Sequence, residues 1–168
     1  MPVPQAPIED GTPTGAGWFV INLDGVAGAR SETHGHWTEF EPRDAKFEDF
    51  GINVHVVRPG QPNAMYHGED AQEDFLVLYG ECIVVIEDEE RHLRPWDLVH
   101  CPRGTRHVFV GAGDGPCAIL MVGARRPGDS EYPKSEAAAR HGAEAVDPEN
   151  PYPDFKVEPK RFTFPPED

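Results

Sequence analysis

Short runs of β-branched and aromatic residues, each cut off by glycine or proline, fill the middle of the chain. They fall at Ile52 to Arg58, Phe75 to Tyr79, Cys82 to Ile86, Arg91 to Leu93, Leu98 to Cys101, His107 to Val110 and Ala118 to Val122. Runs of this length, with turn residues between them, predict an all-β sandwich or barrel. An earlier apolar run, Trp18 to Leu23, predicts one more strand, closed by Asp24-Gly25. Residues 24–50 give no clear element, since Trp37, Phe40, Phe47 and Phe50 stand alone among charges.

One helix is expected. Ser135 can cap it, Ala137 to Ala139 favour it, Glu136 and Arg140 can pair one turn apart, and Gly142 can end it. Residues 147–168 carry six prolines and cannot be a central strand. Their Tyr152, Phe155, Val157, Phe162 and Phe164 would be costly to leave in water, so this tail should pack along the barrel or onto a second subunit. Residues 1–17, rich in Pro, Gly and Thr, are expected as a flexible arm. The expected organisation is thus an N-terminal arm (1–17), a barrel (18–125) and a C-terminal helix with its tail (126–168).

Length and composition sharpen this picture. The 168 residues suit one domain with arms. Thirty acidic against fifteen basic residues give a formal charge of −15, which repels phosphate backbones and anionic lipid. Nucleic acid and membrane surfaces are therefore not expected partners. No apolar stretch approaches the roughly 20 residues of a membrane span, and the N-terminus lacks a secretion-signal pattern. Cys82, Cys101 and Cys117 are odd in number and lack metal-knuckle spacing. They are expected as reduced, buried thiols in a cytoplasmic protein.

The candidate chemistry lies in Tyr66-His67-Gly68-Glu69-Asp70-Ala71-Gln72-Glu73. His67 and Glu69 are two apart and face the same side of an extended strand. Glu73 opens the next strand, and His107 opens a later one after the turn Pro102-Arg103-Gly104. Two imidazoles and two carboxylates brought together suit a divalent transition metal. Other readings stay open at this point. Glu73 and His107 fit a barrel that has lost its metal, and Glu69 fits an exposed loop acid. His34 and His36 have no carboxylate following at useful spacing and are expected in a solvated loop. His55, His92 and His100 are expected as structural, with His100 nearest the site. The acidic run Glu87 to Glu90 is expected as a solvated hairpin tip.

Residues 52–122 resemble the cupin superfamily through its two motifs. The first is Gly, five residues, His-x-His, three or four residues, Glu, six residues, Gly. The second is Gly, five residues, Pro-x-Gly, two residues, His, three residues, Asn. Glu73 and Gly80 stand six residues apart, as the first motif requires, and Pro102-Arg103-Gly104 followed by His107 fits the second. The departures are Glu69 in the slot of the second histidine, Gly60 one residue too far from His67, Trp96 in the place of a glycine and Gly111 in that of the asparagine. The segment also resembles bacterial mannose-6-phosphate-isomerase-like cupins of unassigned role, through Tyr66-His67-x-Glu69, Gln72 to Leu78 and Trp96-Asp97-x-Val99-His100-Cys101-Pro102.

The resemblance implies a double-stranded β-helix, or jelly-roll barrel, and a homodimer. It implies one divalent metal (Fe, Mn or Zn) held by His67, Glu69, Glu73 and His107. Four protein ligands leave about two positions of a six-coordinate ion open, enough for a metal-dependent enzyme acting on a small oxygenated molecule. Such an enzyme would be dioxygenase-like or isomerase-like, with Tyr66 and His100 the candidates for proton transfer. The alternatives are a cupin that binds a small ligand or metal without turnover, and a metal-free structural barrel.

Overall fold

A computed structural model describes residues 1–42, 44–126 and 128–166. In chain order the strands are β1 (Ile8–Glu9), β2 (Thr12–Pro13), β3 (Ala27–Ser31), β4 (Gly35–Thr38), β5 (Phe50–Val57), β6 (His67–Glu69) and β7 (Glu73–Tyr79). They continue with β8 (Glu81–Ile86), β9 (Glu89–Leu93), β10 (Leu98–Cys101), β11 (Arg106–Ala112), β12 (Cys117–Ala124), β13 (Ser130–Glu131) and β14 (Glu158–Arg161). One helix, α1 (Glu136–Arg140), lies between β13 and β14.

Two sheets face each other. The larger has seven strands in the order β10-β7-β12-β5-β4-β3-β14, and the smaller has five, β13-β6-β11-β8-β9. All their strand pairs are antiparallel. Between the sheets lies an apolar layer that includes Val57, Phe75, Val77, Val84, Phe109, Ile119 and all three cysteines. The alternation along β7 shows why: Phe75 and Val77 are 4% and 1% exposed, whereas Leu76 and Leu78 turn the other way. The fold is a double-stranded β-helix.

A second apolar cluster (Val26, Val54, Val56, Ala118, Phe162) covers the other face of the large sheet, with Ile21, Leu23 and Phe40 packed on it. This corrects the expected strand at Trp18 to Leu23. That run forms only an isolated bridge between Trp18 and Gln5 and serves as cover rather than as a sheet member. Conversely, residues 24–50 supply β3 and β4. Residues 1–17, expected as a loose arm, carry the β1–β2 hairpin, and Ala27 N–H donates to the Gly11 carbonyl at 3.0 Å.

The helix forms where expected, with the Ser135 hydroxyl accepting from Ala138 N–H. The acidic run is the exposed β8–β9 hairpin tip, as expected, and it also serves the helix. Asp88 accepts from the Ser135 hydroxyl at 2.5 Å and from Ala137 N–H at 3.1 Å, so this carboxylate anchors the helix start. Glu90 binds Arg140 at 2.8 Å and His141 at 3.1 Å. The tail ends in β14, an edge strand, which is where Pro159 is tolerated.

Two of the motif departures have structural causes. Gly111 lies against Arg58, where a Cβ would sit 2.1 Å from the Arg58 carbonyl oxygen, so no side chain fits. Trp96 takes a left-handed conformation (φ 76°) that favours glycine, while its side chain is 75% exposed and gains little from packing. Trp96→Gly is therefore expected to stabilise the protein by about 1 kcal/mol. A thermal melt checks it: an unchanged or lower Tm would show that the indole contributes more than the backbone strain.

Candidate metal centre

The site is built at one end of the barrel, between the two sheets. His67 on β6 and His107 on β11 are direct cross-strand partners. Their rings lie side by side, with centroids 5.2 Å apart. Glu73 comes from the opposite sheet, at the start of β7. The donor atoms of His67, Glu73 and His107 all lie within 4.8 Å of one another. Glu73 Oε2 stands 3.5 Å from His107 Nε2, and Glu69 Oε1 stands 3.7 Å from His67 Nε2.

Both imidazoles are held by their far nitrogens. His67 Nδ1 donates to the Met65 carbonyl at 2.7 Å, and His107 Nδ1 to the Thr105 carbonyl at 3.1 Å. With Nδ1 protonated, each Nε2 presents a lone pair to the cluster, the tautomer a metal needs. Side-chain exposure falls from 40% at Glu69 through 13% at His67 to 3% at His107, so Glu69 marks the mouth and His107 the base. Beside Glu69 a cavity of about 410 Å³ opens against Asp70 and Arg125.

The electrostatics describe a site short of positive charge. Burial, reinforced by Glu69, pushes Glu73 up to about 7. Burial, with the neighbouring His67, holds His107 down at about 4. A buried imidazole held neutral beside a carboxylate that resists ionising is the condition a divalent cation relieves. Among the described residues, His67, Glu73 and His107 are the one such group.

The remaining candidates point elsewhere. His100 pairs with Asp74, its Nδ1 2.6 Å from Asp74 Oδ1, on the face opposite Glu73. Tyr66, one residue before His67, also faces away. It is 2% exposed among Val85, Val108, Ala137 and Ala138, and its hydroxyl accepts from Asp88 N–H at 3.1 Å. His34 is not in a solvated loop. It is 7% exposed and meets Tyr152 and Phe155 edge-on, while its carbonyl accepts from His55 Nε2 at 2.6 Å. His36, half-buried on β4, is equally part of the fold.

Sequence reasoning missed Tyr132 and Tyr152. The Tyr132 ring centroid is 5.9 Å from that of His67, and Tyr152 stands edge-on to Tyr132 at 6.0 Å. Burial raises the phenol of Tyr132, and raises that of Tyr152 to about 12. It also missed Asn53, whose Oδ1 is buried without a partner. Asn53 faces the same side as Met121 and Phe75, one row along from Glu73. In the Glu73 row the cross-strand partners on β12 and β5 are Gly123 and Gly51; a Cβ at Gly123 would touch Glu73 at 3.7 Å, and one at Gly51 would touch the Arg125 guanidinium at 3.5 Å.

Residues 53–123 match the Cupin domain family. No curated protein matches the chain. Among solved structures, a sugar phosphate isomerase of the cupin superfamily from Silicibacter pomeroyi is 28% identical, with a TM-score of 0.49 over 52% of this chain and 59% of that one. This chain therefore spans less than two thirds of that isomerase. The polyketide cyclase RemF from Streptomyces resistomycificus is 20% identical, with a TM-score of 0.52 over 62% of this chain and 75% of that one, a likeness of fold. A Cupin 2 conserved barrel domain protein from Salinispora arenicola is 20% identical, with a TM-score of 0.49 over 67% and 87%. Two facing antiparallel sheets and the matched segment agree: residues 53–123 are similar to the Cupin domain family, on a double-stranded β-helix.

Proposed function

We propose that the protein is a divalent-metal-dependent enzyme acting on a small oxygenated molecule, by dioxygenase-like or isomerase-like chemistry. The observation that carries this is the pair of imidazoles whose Nδ1 atoms are committed to backbone carbonyls while their Nε2 atoms converge on Glu73. His67, Glu73 and His107 would hold the ion, with Glu69 a fourth ligand from the mouth. Fe, Mn and Zn all accept this donor set. Bound there, the ion supplies Lewis acidity and open coordination positions.

The chain's own groups define the rest. Gly123 adds no side chain beside Glu73, and the unpartnered Asn53 Oδ1 lies one row along. Tyr132, a neutral phenol next to His67, takes the proton-transfer role first assigned to Tyr66 and His100. Two copies pairing along the edge strand β10, where Leu98 is 67% exposed, fit a homodimer. No helix among the described residues is long and apolar enough to cross a membrane. Three free buried thiols fit a cytoplasmic setting, and a charge of −15 opposes nucleic acid or anionic lipid as partner.

Elemental analysis of protein purified without an affinity tag tests the reading, with about one divalent ion per chain expected. Metal-free protein that cannot be loaded would leave a structural barrel. Loaded protein that binds small diols or keto acids without consuming oxygen or isomerising them would be a binding module.

A further inference from the structure

The face of the large sheet turned away from Glu73 carries a second polar site. Cross-strand register sets Glu158 of β14, Arg30 of β3, His36 of β4 and Val56 of β5 in one row. Lys160 is two residues along from Glu158, and Arg58 two along from Val56, so both fall on that same face. A cavity of about 440 Å³ opens there, lined by Arg30, Arg58, Lys156, Lys160 and His36. Four of the fifteen basic residues of a chain with net charge −15 meet at this one place.

Three carboxylates, Glu32, Asp154 and Glu158, share the cavity with these four cations and leave one positive charge in excess. Arg30 is bound to Glu158 at 3.0 Å. Glu32 and Asp154 also line the cavity, yet among the described residues no ion pair engages Arg58, Lys156 or Lys160. His36 Nε2 is buried with no hydrogen-bond partner, and its ring meets Phe162 edge-on at 5.2 Å. Three cations without ion pairs in one concavity suit a group rich in acceptor oxygens and negative charge.

We propose that this cavity binds a small phosphate-type dianion, as the free ion or as the phosphate of a small metabolite. The Arg58 guanidinium offers a planar fork to two phosphate oxygens, Lys156 and Lys160 add point charges, and the His36 ring forms part of the wall beside them. A concave site focuses this field against the acidic background. Burial and the nearby Lys160, Arg58 and Arg30 hold His36 down at about 4 in the free protein, so a bound dianion has a sensitive reporter beside it. The site is independent of the metal donors, because Trp37 and His55, neighbours in sequence or register, face the lumen while His36 does not.

The test is a titration of the full chain at neutral pH with inorganic phosphate, following the histidine ring signals by NMR. His36 should shift saturably. Arg58→Gln with Lys160→Gln should weaken binding by about tenfold or more. Lys156→Gln, outside every strand, should weaken it by a smaller factor while leaving the metal content unchanged. Inorganic phosphate and glycerol phosphate run side by side distinguish the free ion from a phosphate monoester. Absence of saturable shifts at His36 with both, or equal affinity in the double variant, overturns the proposal. Saturation by succinate with no response to either phosphate overturns it too.

Discussion

His107→Ala should cost the protein its metal, weakening affinity by about a hundredfold or more. His107 is the most enclosed donor of the cluster, 3% exposed, and its ring is packed against Phe75 with centroids 5.0 Å apart. The ligands also come from different sheets, the imidazoles from β6 and β11 and the carboxylate from β7, so a bound ion clips the barrel together. At a hundredfold excess over Kd such a clip contributes about 2.7 kcal/mol. For a chain of this size that raises Tm by roughly 5–10 °C. A chelator should therefore lower the Tm of the native protein and leave that of the variant unchanged. Retention of stoichiometric metal by His107→Ala would remove the site from contention, whatever the Tm does.

Glu73→Gln should separate function from stability. Its carboxyl is raised from 4.5 to about 7 by burial and by Glu69, so the folded metal-free protein prefers it protonated. The corresponding stability is complete below pH 4.5 and is lost as pH rises through about 7. An amide cannot ionise and escapes that loss. The metal-free variant should match the metal-free native protein near pH 4.5 and exceed it above pH 7 by up to about 3 kcal/mol. His107 acts in the opposite direction over nearly the same range: its imidazole is lowered from 6.5 to about 4, so protonation of the unfolded chain draws stability away as pH falls between those values. With metal present the order reverses at neutral pH, because the variant has lost an anionic ligand. Denaturant melts at pH 4.5 and 8, with and without metal, read all of this out. A variant no more stable than the native protein at pH 8 without metal would show that Glu73 ionises freely.

The strands most visible in the sequence were those whose buried faces are β-branched. Leu98–Cys101 falls where expected, and Ile52 to Arg58 lies within a residue or two of Phe50–Val57. β3 (Ala-Gly-Ala-Arg-Ser) was hidden because close packing there demands small residues: a Cβ at Gly28 would sit 2.2 Å from the Trp37 carbonyl oxygen. Trp18 to Leu23 misled for the converse reason, since an apolar run signals burial and not pairing. In the site, the period of two brought His67 and Glu69 to one side, and motif spacing found Glu73 and His107. The same period argued against Tyr66 and His100. Tyr66 is the chain neighbour of His67, and His100 pairs with Asp74, the chain neighbour of Glu73, so each faces away from the donors. Tyr132 and Tyr152 had no local signal, being set beside His67 by tertiary folding alone.

The Met65 backbone is gripped at both ends. Its N–H donates to the Tyr152 hydroxyl at 3.1 Å, and its carbonyl accepts from His67 Nδ1 at 2.7 Å. A proline-rich stretch with the look of a spacer thereby steers an imidazole ring through one intervening residue. Loosening that stretch would change the aim of a donor atom without disturbing a single barrel strand.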